Sequence, residues 1–320
     1  MLINKDVTMG LKIGYLLPTR ENIMEGRPAA APILSLAEKA ESLGYDSIWI
    51  GDSILARPRH DPITLMAAVA ARTSKVKIGT AVLIPMLRNP VVLAHQIATV
   101  DQISEGRLIL GMGIASDVPN IRAEFEACGV PWEKRVGRFL EGVRLCKALW
   151  TGKEVDWDGI WKIQKGIIGP TPCQKGGPPI WGGGAVPGAL KRAARYFDGW
   201  FPTGPDAEGY GTLLKEVRQL TAAEGRNPDE VTASIYLTIA IDNNPQVANE
   251  RIDEYLYSYY HARPDILKKR QACFGGTIEG AVDWLQEYVD QGAQHIVLRF
   301  AGDHENNISR LAMVKEKLNV

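Results

Sequence analysis

Eight short apolar runs, seven of them closing on glycine, proline or aspartate, alternate with longer stretches of helical period. This alternation limits how the 320-residue chain can fold more than any other feature. The runs are LKIGYLLP (11–18), SIWIGD (47–52), KIGTAVLIP (77–85), RLILGMGI (107–114), PPIWGGG (178–184), GWFPTG (199–204), TASIYLTIAID (232–242) and HIVLRFAG (295–302). Between them the apolar residues change to helical spacing. Ile33, Leu36, Ala37, Ala40 and Leu43 share one face of one stretch, and Ile278, Ala281, Val282, Leu285 and Val289 one face of another. Eight strand–helix units predict an α/β fold, the (β/α)8 TIM barrel, in which a parallel sheet closes on itself. An open doubly wound sheet has the same local pattern. Strand count and length favour the barrel, since the chain exceeds the roughly 250 residues of a bare one by about two insertions. One insertion is expected before strand five, at 151–177, where Asp158-Gly159 turns between two short aromatic runs and reads as a hairpin. The other is expected after strand seven, at 258–276. With no linker, repeat or low-complexity tract, residues 1–320 read as a single domain.

Charge and cysteine usage exclude several functions. Lysine and arginine number 37 against 37 aspartates and glutamates, so nothing suggests a polyanion-binding surface, and no nucleic acid is expected as a partner. No apolar run reaches the roughly 18 residues of a membrane span. The opening MLINKDVTMGLKIGYLL lacks the charged start, long apolar region and cleavage site of a secretion signal, so a cytoplasmic protein is expected. Cys128, Cys146, Cys173 and Cys273 lie far apart without CxxC spacing or a nearby histidine cluster. That spacing argues against a disulfide framework or zinc and for free, mostly buried thiols; no metal site is expected. The patterns GxSxG, HExxH and GxxxxGK[ST] do not occur, which leaves hydrolase, zinc protease and nucleotide phosphoryl transfer without support.

In a parallel barrel, chemistry gathers where strands end and the following loops begin. The strand ends here are Pro18, Asp52, Pro85, Ile114, Gly183, Thr203, Asp242 and Gly302. One of them lies in three consecutive glycines, within PPIWGGGAVPGALKRAARYFDGW (178–200). An ordered glycine loses backbone entropy and adds no packing. Three together point either to a tight strand-to-helix turn or to a backbone that approaches a ligand, and one glycine suffices for a turn. Gly182, Gly183, Gly184 and Ala185 present a run of N–H groups bare of large side chains at the start of a helix near Gly188 to Tyr196. That is an anion site suited to a phosphate. GMGIAS (111–116) supplies two of the three glycines of a dinucleotide fingerprint, and close strand packing accounts for them equally well.

Four segments carry a resemblance: LAEKAESLGYDSIWIGD, VKIGTAVLIPMLRNPVVLAHQIATVDQISEGRLILGMGI, FEACGVPWEKRVGRFLEGVRLCKALWTG and PPIWGGG with LKRAARYFDGWFPTG. In order and spacing they resemble the bacterial luciferase-like flavin oxidoreductases, which include FMN-dependent monooxygenases and enzymes of the deazaflavin coenzyme F420. The resemblance covers nearly the whole chain. It implies a flavin-dependent oxidoreductase or monooxygenase that uses FMN or F420, with the choice between them open. The activity implied is hydride transfer to, or oxygenation of, a small organic substrate. It places the ribityl phosphate on Gly182, Gly183, Gly184 and Ala185, and the rest of the cofactor along Gly113, Ala115 and Ser116. Ala81 and Val82, in the pattern Gly79-Thr80-Ala81-Val82, are expected to be joined by a cis peptide bond without proline, forming a bulge behind the ring.

The same resemblance makes Asp52 and Ser53 the catalytic candidates. Asp52 holds a position that is commonly acidic in relatives, and its alternative is a helix cap or surface turn. Relatives often follow it with a histidine; the hydroxyl of Ser53 is too weak an acid or base to act alone at neutral pH, which argues against oxidation of the sugar-phosphate type. His60 either reaches over the mouth or lies in a solvated loop, with Asp61-Pro62 starting the next helix. Ala115, Ser116 and Asp117 stand where deazaflavin relatives that oxidise sugar phosphates carry a glutamate. Arg299, inside HIVLRF, is either an anion contact at the mouth or half of a structural ion pair. Leu17, Trp181 and Phe201 are expected beside the ring. The stretch NPVVLAHQIATVDQ carries Val91, Val92, Ala94, Ile97 and Val100 on more than one face, and relatives commonly dimerise there, so a homodimer is expected. Two other readings compete: a non-catalytic flavin-binding protein for storage or sensing, and an unrelated barrel lyase or isomerase that holds a substrate phosphate on the glycines.

Overall fold

Most of the apolar runs are rich in isoleucine, valine and leucine, the composition of a strand buried on both faces, and the other two carry tryptophan. In the computed structural model, which describes residues 10–318, each run forms a strand. The strands are β1 (Lys12–Leu16), β2 (Ser47–Ile50), β3 (Lys77–Leu83), β4 (Leu108–Met112), β5 (Val155–Asp158), β6 (Lys162–Gly166), β7 (Ile180–Gly183), β8 (Gly199–Phe201), β9 (Thr232–Ile241), β10 (Cys273–Gly276) and β11 (His295–Phe300). Eight of them run in parallel in the order β1-β2-β3-β4-β7-β8-β9-β11, and β11 pairs with β1 to close the barrel. The (β/α)8 barrel and both insertions are therefore present. Strands β5 and β6 make the antiparallel hairpin of the first insertion. The second contains β10, which adds to the outer edge of β9 and which the sequence reading does not anticipate as a strand. Residues 1–9 of the segment read for a secretion signal lie outside the described residues.

The helices are α1 (Glu21–Met24), α2 (Ala31–Ser42), α3 (Pro62–Arg72), α4 (Pro90–Ile103), α5 (Pro119–Ala127), α6 (Arg135–Leu149), α7 (Pro187–Tyr196), α8 (Ala207–Ala223), α9 (Pro245–Tyr260), α10 (Pro264–Leu267), α11 (Ile278–Asp290) and α12 (His304–Lys317). Several start on an Asx-Pro pair. The Asp61, Asn89 and Asn244 side chains accept the N–H of Thr64, Val91 and Gln246, while the following proline sits where no N–H is needed. None of the helices among the described residues is long and apolar enough to cross a membrane.

The helices bury their apolar faces on the outside of the barrel, and a second core fills its inside. Leu16, Trp49, Ala81, Ile109, Trp181, Phe201 and Val297 pack there. Trp49 is central, its ring 5.2 Å from that of Trp181 and 5.0 Å from that of Phe201. Gly14 and Gly79 leave the space it occupies, since a Cβ on either would collide with its ring. Trp181 and Phe201 are thus barrel filling rather than walls of an open pocket, and Leu17 faces the outer core, away from the mouth. On α4, Ala94, Ile97 and Val100 are buried within the protomer, leaving Val92 exposed. All four cysteines are unpaired; Cys146 is buried and Cys173 exposed.

Candidate active site at the barrel mouth

The carboxyl ends of β3, β4 and β7 bring most of the expected cofactor residues together. The register of β3 against β4 breaks between Thr80 and Leu83, and the Ala81–Val82 peptide bond is cis, as the sequence reading expects. The Val82 side chain lies across its neighbours: a Cβ built on Gly113 would stand 2.8 Å from Val82 Cγ2, and one on Gly183 would stand 3.6 Å from Cγ1. Ala115, at φ 63°, turns the chain left-handed after β4, and Ser116 is exposed just beyond.

The three consecutive glycines have three different reasons. Gly182 is a packing glycine, because a Cβ there would run into the Phe197 ring. Gly184 is a conformational one, with φ +106°, and its carbonyl accepts Trp200 Nε1 at 2.9 Å. Gly183 has neither constraint. A Cβ built there would stand 3.4 Å from Met112 O and 3.6 Å from both Phe201 O and Val82 Cγ1, ordinary contact distances, so neither packing nor conformation demands a glycine. Ala185 follows, half-buried, two residues before α7.

Asp52 and Ser53 are placed beside this floor, and both are already bonded. Arg88 grips Asp52 with both arms, and the Ile84 N–H donates to Asp52 Oδ2 at 2.9 Å. Burial lowers the Arg88 pKa, but its bonds to Asp52 and Asp61 more than reverse this and raise it. The Ser53 hydroxyl donates to Glu124 Oε1 at 2.9 Å and accepts the Arg57 N–H at 2.9 Å. The same Glu124 oxygen accepts the N–H groups of Ile54, Leu55 and Ala56, so a carboxylate from α5 clasps the loop that follows β2. Arg88 lies in one of the segments quoted for the resemblance, and Glu124 immediately before another. No local pattern marks them, and their partners stand 36 and 71 residues away.

The ring nitrogens of His60 face the Thr19 and Pro28 carbonyls, joining two loops. Arg299 does point into the mouth, and among the described residues it makes no ion pair. Its donors go to Thr238 Oγ1, Tyr260 Oη and Gln271 Oε1, at 2.7 to 3.2 Å. Sequence reasoning missed the tyrosines around it, Tyr236, Tyr255, Tyr259 and Tyr260, whose ring centres lie 5.1 to 5.5 Å from its Cζ. The one signal for the last three is the aromatic density of DEYLYSYY (253–260). A cleft of about 560 Å³ adjoins this cluster, bounded by Glu21, Tyr255, Tyr259 and His304.

A closed parallel barrel with its bare floor, polar clasps and cleft all at the carboxyl ends of the strands is a TIM-barrel protein whose ligand face is that end. The chain belongs to the luciferase-like monooxygenase family, whose sequence profile residues 11–295 match. It is 30% identical to the F420-dependent glucose-6-phosphate dehydrogenase of Mycolicibacterium gilvum (strain PYR-GCK), over 94% of this chain and 95% of that one. Two solved structures share the fold. An F420-dependent secondary alcohol dehydrogenase in complex with an F420–acetone adduct superposes with a TM-score of 0.82 at 19% identity, covering 97% of this chain and 100% of the other. The monooxygenase RslO1 from Streptomyces bottropensis gives 0.80 at 22% identity, covering 96% and 98%.

Proposed function

We propose that the chain is an oxidoreductase that binds coenzyme F420 or FMN across the barrel mouth and moves hydride between that cofactor and a small organic substrate, or oxygenates the substrate. The observation that carries this reading is the floor made by Val82, Gly113 and Gly183. Gly113 and Gly183 add no side chain to it, and the Val82 side chain, carried there by the cis Ala81–Val82 bond, lies against both positions. The residues fit such a group. Gly184 and Ala185 lead into α7, whose positive end favours a phosphate. Ser116 offers a hydroxyl at the rim. When bound, the cofactor supplies the hydride chemistry. The chain's own part is to hold the ring and exclude water: the Arg88–Asp52 pair and the Glu124 clasp fix the loops after β2 and β3 against the floor. The dehydrogenase named above favours the deazaflavin, and the family's monooxygenase name favours FMN. The reading includes a single domain and a homodimer on α4, where Val92 is 54% exposed.

Titration of the purified chain with FMN and with F420, followed by absorbance and fluorescence, tests this. Saturable binding of one of them is expected, and a mass of two protomers by light scattering. Failure of both cofactors to bind overturns the reading and leaves a lyase or isomerase barrel. Tight binding with no oxidation of any reduced donor leaves storage or sensing.

A further inference from the structure

The geometry points to an oxyanion subsite at the barrel mouth, formed by Arg20, Arg57 and Arg59 in the field of Arg299, that receives a carboxylate or phosphate group of the substrate. This rests on the proposed oxidoreductase reading and names its substrate class.

All four guanidiniums converge on two adjacent tyrosine rings. Arg20 Cζ lies 4.4 Å from the ring centre of Tyr259, and Arg59 Nη2 donates to the Tyr259 hydroxyl at 3.1 Å. Arg57 Cζ lies 4.8 Å from the ring centre of Tyr260, and Arg299 Nη1 donates to the Tyr260 hydroxyl at 2.8 Å. The two rings are 4.8 Å apart. Among the described residues no carboxylate oxygen lies within 4.0 Å of any of the four. The carboxylate at this cluster, Glu21, is bonded to the Tyr255 hydroxyl at 2.6 Å.

Buried cations without counter-charge are costly and need a partner. Arg299 is 2% exposed and spends its donors on neutral oxygens, so it contributes charge. The other three have donors to spare. Arg20 is 6% exposed, and its Nη1 is buried with no hydrogen-bond partner. Arg59 Nη1 and the whole Arg57 guanidinium make no hydrogen bond among the described residues. Tyr260 registers the field. Burial alone would raise its phenol, yet Arg299, followed by Arg57 and Arg59, brings it below the ordinary value.

The place of the cluster assigns the anion to the substrate rather than to the cofactor. In the closed order β1-β2-β3-β4-β7-β8-β9-β11, the glycine turn ends β7 and stands opposite β1. Arg20 follows β1, Arg57 and Arg59 follow β2, and Arg299 is on β11. A cofactor phosphate on the glycine turn leaves the arginines across the mouth for the substrate's charged group.

The test is calorimetric titration of the full chain with inorganic phosphate and with benzoate at constant ionic strength, alone and saturated with whichever cofactor binds. Saturable binding of one anion is expected, with and without cofactor, and weakened tenfold or more in Arg20→Gln and in Arg59→Gln. The loop variant Arg59→Gln keeps the test open if the buried Arg20 variant does not fold. Phosphate binding assigns a phosphate monoester, and benzoate binding a carboxylate. No saturable binding of either anion, or unchanged affinity in the folded variants, overturns the subsite. Loss of anion binding on adding cofactor assigns the arginines to the cofactor's own tail and overturns the substrate assignment. If neither cofactor binds while phosphate or benzoate does, the oxidoreductase reading fails and the anion site stands.

Discussion

Arg88 holds Asp52 in a fork, Nη1 to Oδ2 at 2.7 Å and Nη2 to Oδ1 at 3.0 Å, while the same Nη2 reaches Asp61 at 3.0 Å. The Asp52 side chain is 1% exposed and that of Arg88 13%. One pair thereby ties the end of β2 to the turn after β3 and the cap of α3. Removing the carboxylate leaves a mostly buried cation with only the half-exposed Asp61. Asp52→Ala is expected to lose about 3 kcal/mol in urea unfolding. Asp52→Asn should lose less, because its amide oxygen still accepts the Ile84 N–H. An unchanged urea midpoint in both variants would show that the pair does not hold the mouth together.

The Glu124 clasp makes a different forecast. Its Oε1 satisfies the Ser53 hydroxyl and the N–H groups of Ile54, Leu55 and Ala56. Glu124→Ala leaves these donors without an acceptor at about 1 to 3 kcal/mol for each one that stays buried. The loop is then expected to open locally before the barrel unfolds. Trypsin should cut after Arg59 at least tenfold faster than in the parent chain, since Pro58 protects the bond after Arg57. Equal cleavage rates would mean that the loop is held by something else.

The barrel was legible because each strand is a short apolar run with its own stop and each helix has its own face, both local properties. The cis bond between Ala81 and Val82 was legible through family resemblance. The clasps were not. Asp52 gives no sign in its own neighbourhood that Arg88 will saturate it, nor Ser53 that Glu124 will, because only barrel closure brings those pairs together. Trp181 and Phe201 were misplaced beside the ring for a similar reason. A strand-end position fixes the level of a side chain along the barrel, but whether it fills the interior depends on the opposite wall, here Trp49 above Gly14 and Gly79. Arg299 makes no ion pair among the described residues; its neighbours are Tyr236 on β9 and three tyrosines arriving from α9, which its own strand does not reveal.

His295 gives a pH signature. It lies inside the barrel with Nε2 2.6 Å from Ser47 Oγ, and the Ser47 oxygen accepts Trp49 Nε1. Burial lowers its pKa to about 3. The unfolded chain takes up a proton as pH falls through about 6.5, and the folded chain refuses it until near the lower value. This contribution to stability is therefore complete above about pH 6.5 and is lost below it at up to about 1.4 kcal/mol per pH unit. Urea unfolding should find the parent chain about 2 kcal/mol less stable at pH 5 than at pH 8 from this residue alone. In His295→Gln that share of the slope should vanish, so the gap between parent and variant narrows toward acid. A gap that stays constant from pH 8 to pH 5 contradicts a neutral, buried imidazole.

The glycine turn separates packing from binding within three residues. A methyl at Gly182 meets the Phe197 ring, so Gly182→Ala overpacks the joint between β7 and α7 and is expected to cost about 2 kcal/mol. The cofactor affinity of the protein that remains folded should not change, because that methyl points away from the mouth. Gly183 is the opposite case: an added Cβ would meet its nearest neighbours at 3.4 and 3.6 Å, ordinary contact distances, and its φ is not left-handed. Gly183→Val is expected to keep the unfolding midpoint close to that of the parent while weakening FMN or F420 binding tenfold or more, about 1.4 kcal/mol. Fluorescence titration and circular dichroism on the same samples check both halves. Equal cofactor affinity in Gly183→Val, with unchanged circular dichroism, would remove the phosphate from the turn and leave the three glycines as structure alone.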